Sequence, residues 1–451
     1  MGLRWMLPSR RVRGVLAVGL LCGLLSAASS SAVAQNEPLR EAHPSVVLHS
    51  EHGPNSAKTL KAHYVVLVSL DGFRWDYAKK YGATNLLALG KQGVSAPNGM
   101  LPSYPSLTFP NHFAIVTGLY PEHNGLVANS FYDEKRQSES KLARYGIGDA
   151  KAVTDGSFYS GVPLWSLAEK QGMRTACLFW PGSEAEIAGE RPSSYLKFDD
   201  TVDEMSRIDQ VLNWLSEPET TRPHFITMYF SDVDHAGHSY GPDSPQTKAA
   251  VAHVDALIGN LRIALDSTHL PIDLVVVSDH GMVKIDGPWI TLDQFTDLTG
   301  VETAGPLLYA KTDADRVRLY NSLKKASDKF QVYRLKDVPA GLHYNENPRE
   351  GDPVIVPTGP YAIRAHAPPA GRPDSEPVGQ HGFDPRTMPE MKASFFAAGP
   401  DIVAGKTVEP FENVNLYPWI AHILGLEPGK TDGKLNILAG TLQDNGETGK
   451  E

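Results

Sequence analysis

An α/β fold with a mostly parallel central sheet and helices on both faces is what this 451-residue sequence predicts. Short apolar runs at residues 63–69, 174–179, 224–229 and 273–278 are continuous rather than alternating, as strands buried on both faces must be. Helical patterns at 162–170, 205–215 and 246–265 separate them, and strands alternating with helices of that length imply βαβ units. Aspartates and histidines cluster just after the runs, at the strand ends where open α/β sheets keep their ligands.

Taken in order, the chain opens on Arg4, Arg10, Arg11 and Arg13, and residues 14–28 follow without a charge. Ala32, Val33 and Ala34 then supply a small-x-small cleavage signature, so residues 1–34 read as a secretory signal peptide. The uncharged run is shorter than the roughly 20 residues that span hydrocarbon, which disfavours the alternative of a retained anchor. No later stretch has the apolarity of a membrane span. Residues 35–60 are polar and read as a tether, and the core is expected over 61–435. Within it, residues 302–370 change character. Short strands and one helix, separated by Pro- and Gly-rich turns, suggest a small α+β subdomain inserted before the core resumes at 393–398. Residues 436–451 form a polar tail.

Charge and cysteine content narrow the partners. Without the four arginines of the signal segment, 38 basic residues face 52 acidic ones, a net charge of −14. A surface that negative does not attract polyanions, which argues against a nucleic acid partner. An anionic substrate would need a local attractor such as bound metal. Cys177 is the only cysteine beyond the signal segment, so neither an intramolecular disulfide nor a cysteine metal site is available. An exported chain of this size without disulfides points to a bacterial periplasm.

Asp71 follows the first core strand, Asp234 and His238 follow the third, and Asp279 and His280 follow the fourth. Singly, each has a plain structural reading: a strand-end turn for Asp71 and Asp279, a surface pair one helical turn apart for Asp234 and His238. Three such groups after strands of one sheet favour a metal site, and a carboxylate–imidazole set without thiolate suits catalytic zinc. Thr108 precedes an apolar helical stretch at 113–116. It reads either as a helix cap or as a hydroxyl held at the positive helix end, where a phosphate oxygen is welcome. Metal coordination would make that hydroxyl a competent nucleophile.

The segments Leu67-Val-Ser-Leu-Asp71-Gly-Phe73, Ser106-Leu-Thr108-Phe-Pro-Asn-His112, Val116-Thr-Gly-Leu-Tyr-Pro121 and Gly125-Leu-Val-Ala-Asn129 continue with Phe179-Trp-Pro-Gly182, Asp234-His-Ala-Gly-His238, Ser278-Asp-His-Gly-Met282 and Gly379-Gln-His381-Gly-Phe-Asp384. In this order the chain resembles the nucleotide pyrophosphatase/phosphodiesterases of the alkaline phosphatase superfamily, over about 62–435. The resemblance implies an alkaline phosphatase-like fold and two zinc ions, one held by Asp234, His238 and His381, the other by Asp71, Thr108, Asp279 and His280. For His381 the resemblance is the sole warrant. It further implies Thr108 as nucleophile, a phosphothreonine intermediate, Asn129 as a donor to a phosphate oxygen, and Phe109 with Tyr229 flanking the leaving group. Core packing is the competing reading for those two rings. The implied substrate is a small nucleotide or other phosphodiester, cleaved to a nucleoside 5'-monophosphate. Leu107 stands where animal members often have lysine, which bears on substrate choice. A phospholipase C-like or phosphomonoester hydrolase on this scaffold is the alternative, and a non-catalytic phosphate-binding protein a weaker one, since all seven metal positions hold competent residues.

Overall fold

The computed structural model describes residues 46–138, 141–369 and 376–443; the expected signal segment and residues 35–45 of the expected tether lie outside them. Nine strands form one sheet: β1 (Leu48–His49), β2 (Tyr64–Leu70), β3 (Val94–Ser95), β4 (Thr175–Leu178), β5 (Ser194–Leu196), β6 (Phe225–Phe230), β7 (Ile272–Val277), β8 (Phe395–Ala398) and β9 (Lys406–Thr407). Their spatial order is β1-β5-β4-β6-β2-β7-β8-β3-β9. The run from β5 to β7 is parallel throughout, and β8 turns antiparallel against β7.

All of β2 is buried, for the reason its unbroken apolar run suggested. Val65 and Leu67 enter one apolar cluster while Val66 and Val68 enter another, because successive side chains point to opposite faces. On the first face lie α2 (Thr108–Thr117), α3 (Leu164–Lys170) and α7 (Leu416–Ile423). On the second lie α1 (Thr84–Gln92), α4 (Glu204–Leu215) and α6 (Pro245–Ser267). α5 (Asp232–Tyr240) follows β6 directly. The α/β architecture with helices on both faces is therefore the one observed.

Two stretches are more integrated than their polarity suggested. Within the expected tether, β1 pairs with β5, and the buried Asn55 amide donates to the carbonyls of Glu219 and Arg222. Backbone pairing and amide hydrogen bonds need no apolar period, so sequence pattern does not register them. In the expected tail, Leu438 is buried and Trp419 Nε1 donates to Thr441 Oγ1. Between Glu302 and Arg364, short paired strands and the helix Asp313–Leu323 gather a small apolar cluster that includes Leu308, Leu319, Phe330 and Ile355.

Candidate active site

The three central strands deliver their following residues to one edge of the sheet. Ser69 of β2 stands opposite Tyr229 of β6 and Val277 of β7, so Asp71, the start of α5 and Asp279 emerge side by side. The turn after Asp71 is tight. Gly72 has φ +64°, and a Cβ there would lie 3.0 Å from Asp234 Cα, a closeness only glycine tolerates. Asp234 and His238 share one face of α5 at i, i+4 spacing. His381 arrives by a route no periodicity reveals. It follows the two-residue strand Gly379–Gln380, which pairs with Val283–Lys284 just past His280. A Cβ on Gly379 would meet the Gly237 carbonyl at 2.2 Å, so that glycine lets the strand press against α5.

Thr108 is the first helical residue of α2. Leu107 takes the cap position with extended backbone, and no side-chain cap bond forms. The threonine hydroxyl instead lies 3.3 Å from His280 Nε2. Pro110 sits in the first turn, where a missing N–H costs no helical bond.

The side chains converge on two points. Asp234 Oδ1 is 3.5 Å from His238 Nε2 and 3.7 Å from His381 Nε2, and the two imidazole nitrogens are 3.1 Å apart. Around the second point, His280 Nε2 is 3.0 Å from Asp279 Oδ2, 3.3 Å from Thr108 Oγ1 and 3.5 Å from Asp71 Oδ1. Tetrahedral ligands bonded at 2.0–2.1 Å stand about 3.3–3.4 Å from one another, so both spacings suit a zinc-sized ion. Asp71 Oδ1, Asp234 Oδ1 and Asp279 Oδ2 are buried without a hydrogen-bond partner. Orphaned buried oxygens are costly, and these three are the atoms facing the two points.

Several other atoms of these residues are committed elsewhere. His238, His280 and His381 each direct Nδ1 at a backbone carbonyl, of Gly379, Gly281 and Ser106 at 2.8, 2.9 and 2.9 Å. A carbonyl only accepts, so Nδ1 holds a proton in each ring and Nε2 is the atom turned inward. The His280 and His381 rings stack at 3.6 Å, which sets the two points side by side. Gly72 N–H donates to Asp279 Oδ1, and the Tyr229 hydroxyl donates to Asp71 Oδ2.

Charge in this pocket is balanced only by protons. Burial, then the charges of Asp279 and Asp234, hold Asp71 well above the usual carboxylate range. Burial raises Asp234 to about 7. Burial also opposes ionisation of Asp279, but His280 and His112 outweigh it and hold that carboxyl well below its ordinary value. Burial opposes the charge on His280, yet Asp279, Asp71 and Asp234 push it up to about 10. Carboxylates forced to share protons in this way are what a dication relieves.

Of the expected substrate residues, Asn129 accepts from Phe109 N–H at 3.0 Å through Oδ1, which directs its NH₂ end outward as the donor. Phe109 is half-buried and meets Tyr145 edge-on. Tyr229 was expected to line the leaving-group slot. Its hydroxyl donates to Asp71 Oδ2 and its ring is 7% exposed. The open aromatic beside it is Phe198, 50% exposed and 6.0 Å from the Tyr229 ring. Phe198 follows a three-residue strand, a context without sequence signal.

Fold and site together define an alkaline phosphatase-like hydrolase of phosphoric esters. Residues 65–384 match the Type I phosphodiesterase / nucleotide pyrophosphatase family. An uncharacterised pyrophosphatase/phosphodiesterase of Schizosaccharomyces pombe is 35% identical over 82% of this chain and 78% of its own length. Human ectonucleotide pyrophosphatase/phosphodiesterase family member 7 is 33% identical over 83% of this chain and 82% of its own. Among solved structures, murine ectonucleotide pyrophosphatase/phosphodiesterase 5, as an inactive threonine-to-alanine variant in complex with AMP, superposes with a TM-score of 0.77. It shares 26% identity over 84% of this chain and all of that one. The chain belongs to the nucleotide pyrophosphatase/phosphodiesterase family, and it is a phosphoric diester hydrolase. No helix among the described residues is long and apolar enough to cross a membrane.

Proposed function

We propose that this enzyme is exported, binds two zinc ions, and hydrolyses nucleotide diester or pyrophosphate bonds to nucleoside 5'-monophosphates through a phosphothreonine intermediate. The observation that carries this reading is the convergence of three orphaned carboxylate oxygens, three inward imidazole nitrogens and the Thr108 hydroxyl on two adjacent points. Asp234, His238 and His381 would hold one ion; Asp71, Thr108, Asp279 and His280 would hold the other. Bound there, the pair would supply Lewis-acid stabilisation at the attacking and leaving oxygens of an in-line displacement.

The chain's own groups do the rest. Thr108 Oγ1 attacks phosphorus, the bond to the leaving alcohol or pyrophosphate breaks, and water then cleaves the threonine ester. Asn129, with its carbonyl held by Phe109 N–H, donates to a non-bridging oxygen. Phe109 and Tyr229 would flank an esterified group, with the exposed Phe198, 6.0 Å from the Tyr229 ring, as a further candidate. The murine relative bound to AMP was rendered inactive by a threonine-to-alanine change, which fits an essential threonine and a nucleoside monophosphate product. The arginine-rich start and small-x-small signature support export to a bacterial periplasm.

No arginine or lysine occurs in residues 105–129, 229–242 or 278–282, so these segments offer the dianion of a monoester no cationic partner. An unpaired buried charge costs several kcal/mol, about a thousandfold in rate. ATP should therefore give AMP and pyrophosphate, with AMP left intact. Chromatography of the products tests this. Rapid release of adenosine and phosphate from AMP would make the chain a phosphomonoesterase.

A further inference from the structure

We infer that His112 is a positioning residue whose single imidazole N–H ties down the helix turn that carries the nucleophile and sits against one metal ligand, Asp279. This rests on the two-ion reading above. His112 lies one turn beyond Thr108 on α2 and is fully buried. Its Nδ1 is 2.8 Å from the Thr108 carbonyl oxygen and 3.4 Å from Asp279 Oδ2. Both are acceptors, so Nδ1 carries the proton: the N–H is hydrogen-bonded to the Thr108 carbonyl, and Asp279 Oδ2 lies beside it as a charge contact. Nε2 meets Ser69 Oγ at 2.8 Å, two residues before Asp71. The ring is wedged edge-on between Trp180 and Tyr229 at 5.1 and 5.3 Å, and the Trp180 indole N–H donates to the His112 carbonyl. No rotation is left to it.

The consequence is specific to one side of the site. Asp279 Oδ1 is held by Gly72 N–H, and Oδ2 is the atom beside His280 Nε2. Without the His112 N–H, the Asp279 carboxylate loses the charge contact at Oδ2 and keeps only the Gly72 bond, and the first turn of α2 loses the bond at the Thr108 carbonyl. Asp234, His238 and His381 have no bond to His112 among those described, and the two histidines are restrained by the carbonyls of Gly379 and Ser106. Loss of His112 should therefore weaken the ion held by Asp71, Thr108, Asp279 and His280 and spare the other.

Asparagine and glutamine variants separate this role from packing. In H112N the amide nitrogen falls where Nδ1 was; in H112Q it falls where Nε2 was, so only the first keeps a donor to the Thr108 carbonyl beside Asp279. Ion retention is measured by zinc titration against a graded chelator, alongside kcat and KM for a nitrophenyl diester and a thermal unfolding curve. H112Q should lose one of two ions about 10–100-fold more readily, with a matching fall in kcat and little change in KM, while H112N stays within about threefold of wild type. H112Q that holds both ions as tightly as wild type, or H112N as impaired as H112Q, overturns the assignment. Wild-type protein that turns over the diester with no ion bound overturns the two-ion reading, and this assignment with it.

Discussion

The phenol of Tyr229 donates a 2.5 Å hydrogen bond to Asp71 Oδ2, and Asp71 Oδ1 is left as a buried oxygen without a partner. The two residues end neighbouring parallel strands, β6 and β2. One oxygen is thus fixed by protein, and the other is presented. Removing the hydroxyl should loosen the carboxylate without emptying the core, because the ring stays packed against His112. Y229F should lower metal affinity or turnover about 10–100-fold, as loss of a ligand's supporting partner does. Zinc titration and diester kinetics measure it; wild-type affinity and rate in Y229F would show the bond is idle.

Thr108→Ala should abolish turnover and hardly touch stability. The hydroxyl caps no helix N–H, since Leu107 holds the cap position. The loss of about 1 kcal/mol typical of a missing cap should not appear, and the unfolding midpoint should stay close to wild type. Turnover should drop by several orders of magnitude. A variant that keeps more than a tenth of the rate would exclude Thr108 as nucleophile.

Chelation should cost stability as well as activity. Asp71, Asp234 and Asp279 each leave an oxygen facing the cleft, and mutual repulsion returns when the cations go. A ligand that binds only the folded state stabilises it by mass action, so the melting temperature should fall on chelation and recover with zinc. Elemental analysis of protein purified without added metal should show more than one zinc per chain. Full activity in metal-free protein would refute the metal requirement.

Glu350 predicts a pH effect away from the site. It is fully buried, both carboxylate oxygens lack partners, and burial followed by the charge of Glu122 raises it to about 9. With the folded value above the unfolded one, the folded state binds the extra proton between roughly pH 4.5 and 9. The favourable contribution is complete below that window and is lost as pH rises through it, by up to about 1.4 kcal/mol per pH unit. E350Q, isosteric and neutral, should match wild type near pH 4.5 and melt at a higher temperature by pH 8. Parallel melting curves across that range decide it; no divergence would mean that Glu350 is solvated.

Much of the site was legible because strand burial is a local property. A strand covered on both faces must be apolar at every position, so the runs that became β2, β4, β6 and β7 declared themselves. Asp71, Asp234, His238, Asp279 and His280 were then marked by position alone, since residues after parallel strands share one edge. His381 was not. The two-residue strand before it has no period, and a close glycine approach to Gly237 brings it in.

The sheet, the side on which chemistry gathers and the residue types available there can thus be read from local pattern. Tertiary structure decided the assignments within that set. Thr108 could cap a helix or face a cleft, and only the approach of His280 across the sheet edge aims it at the cleft. Tyr229 could line a slot or brace a ligand, and the register of β6 on β2 puts its hydroxyl on Asp71. Which atoms of a carboxylate or imidazole are taken, and which left open, depends on partners distant in sequence. That is set by strand order and loop contact, which no local pattern records.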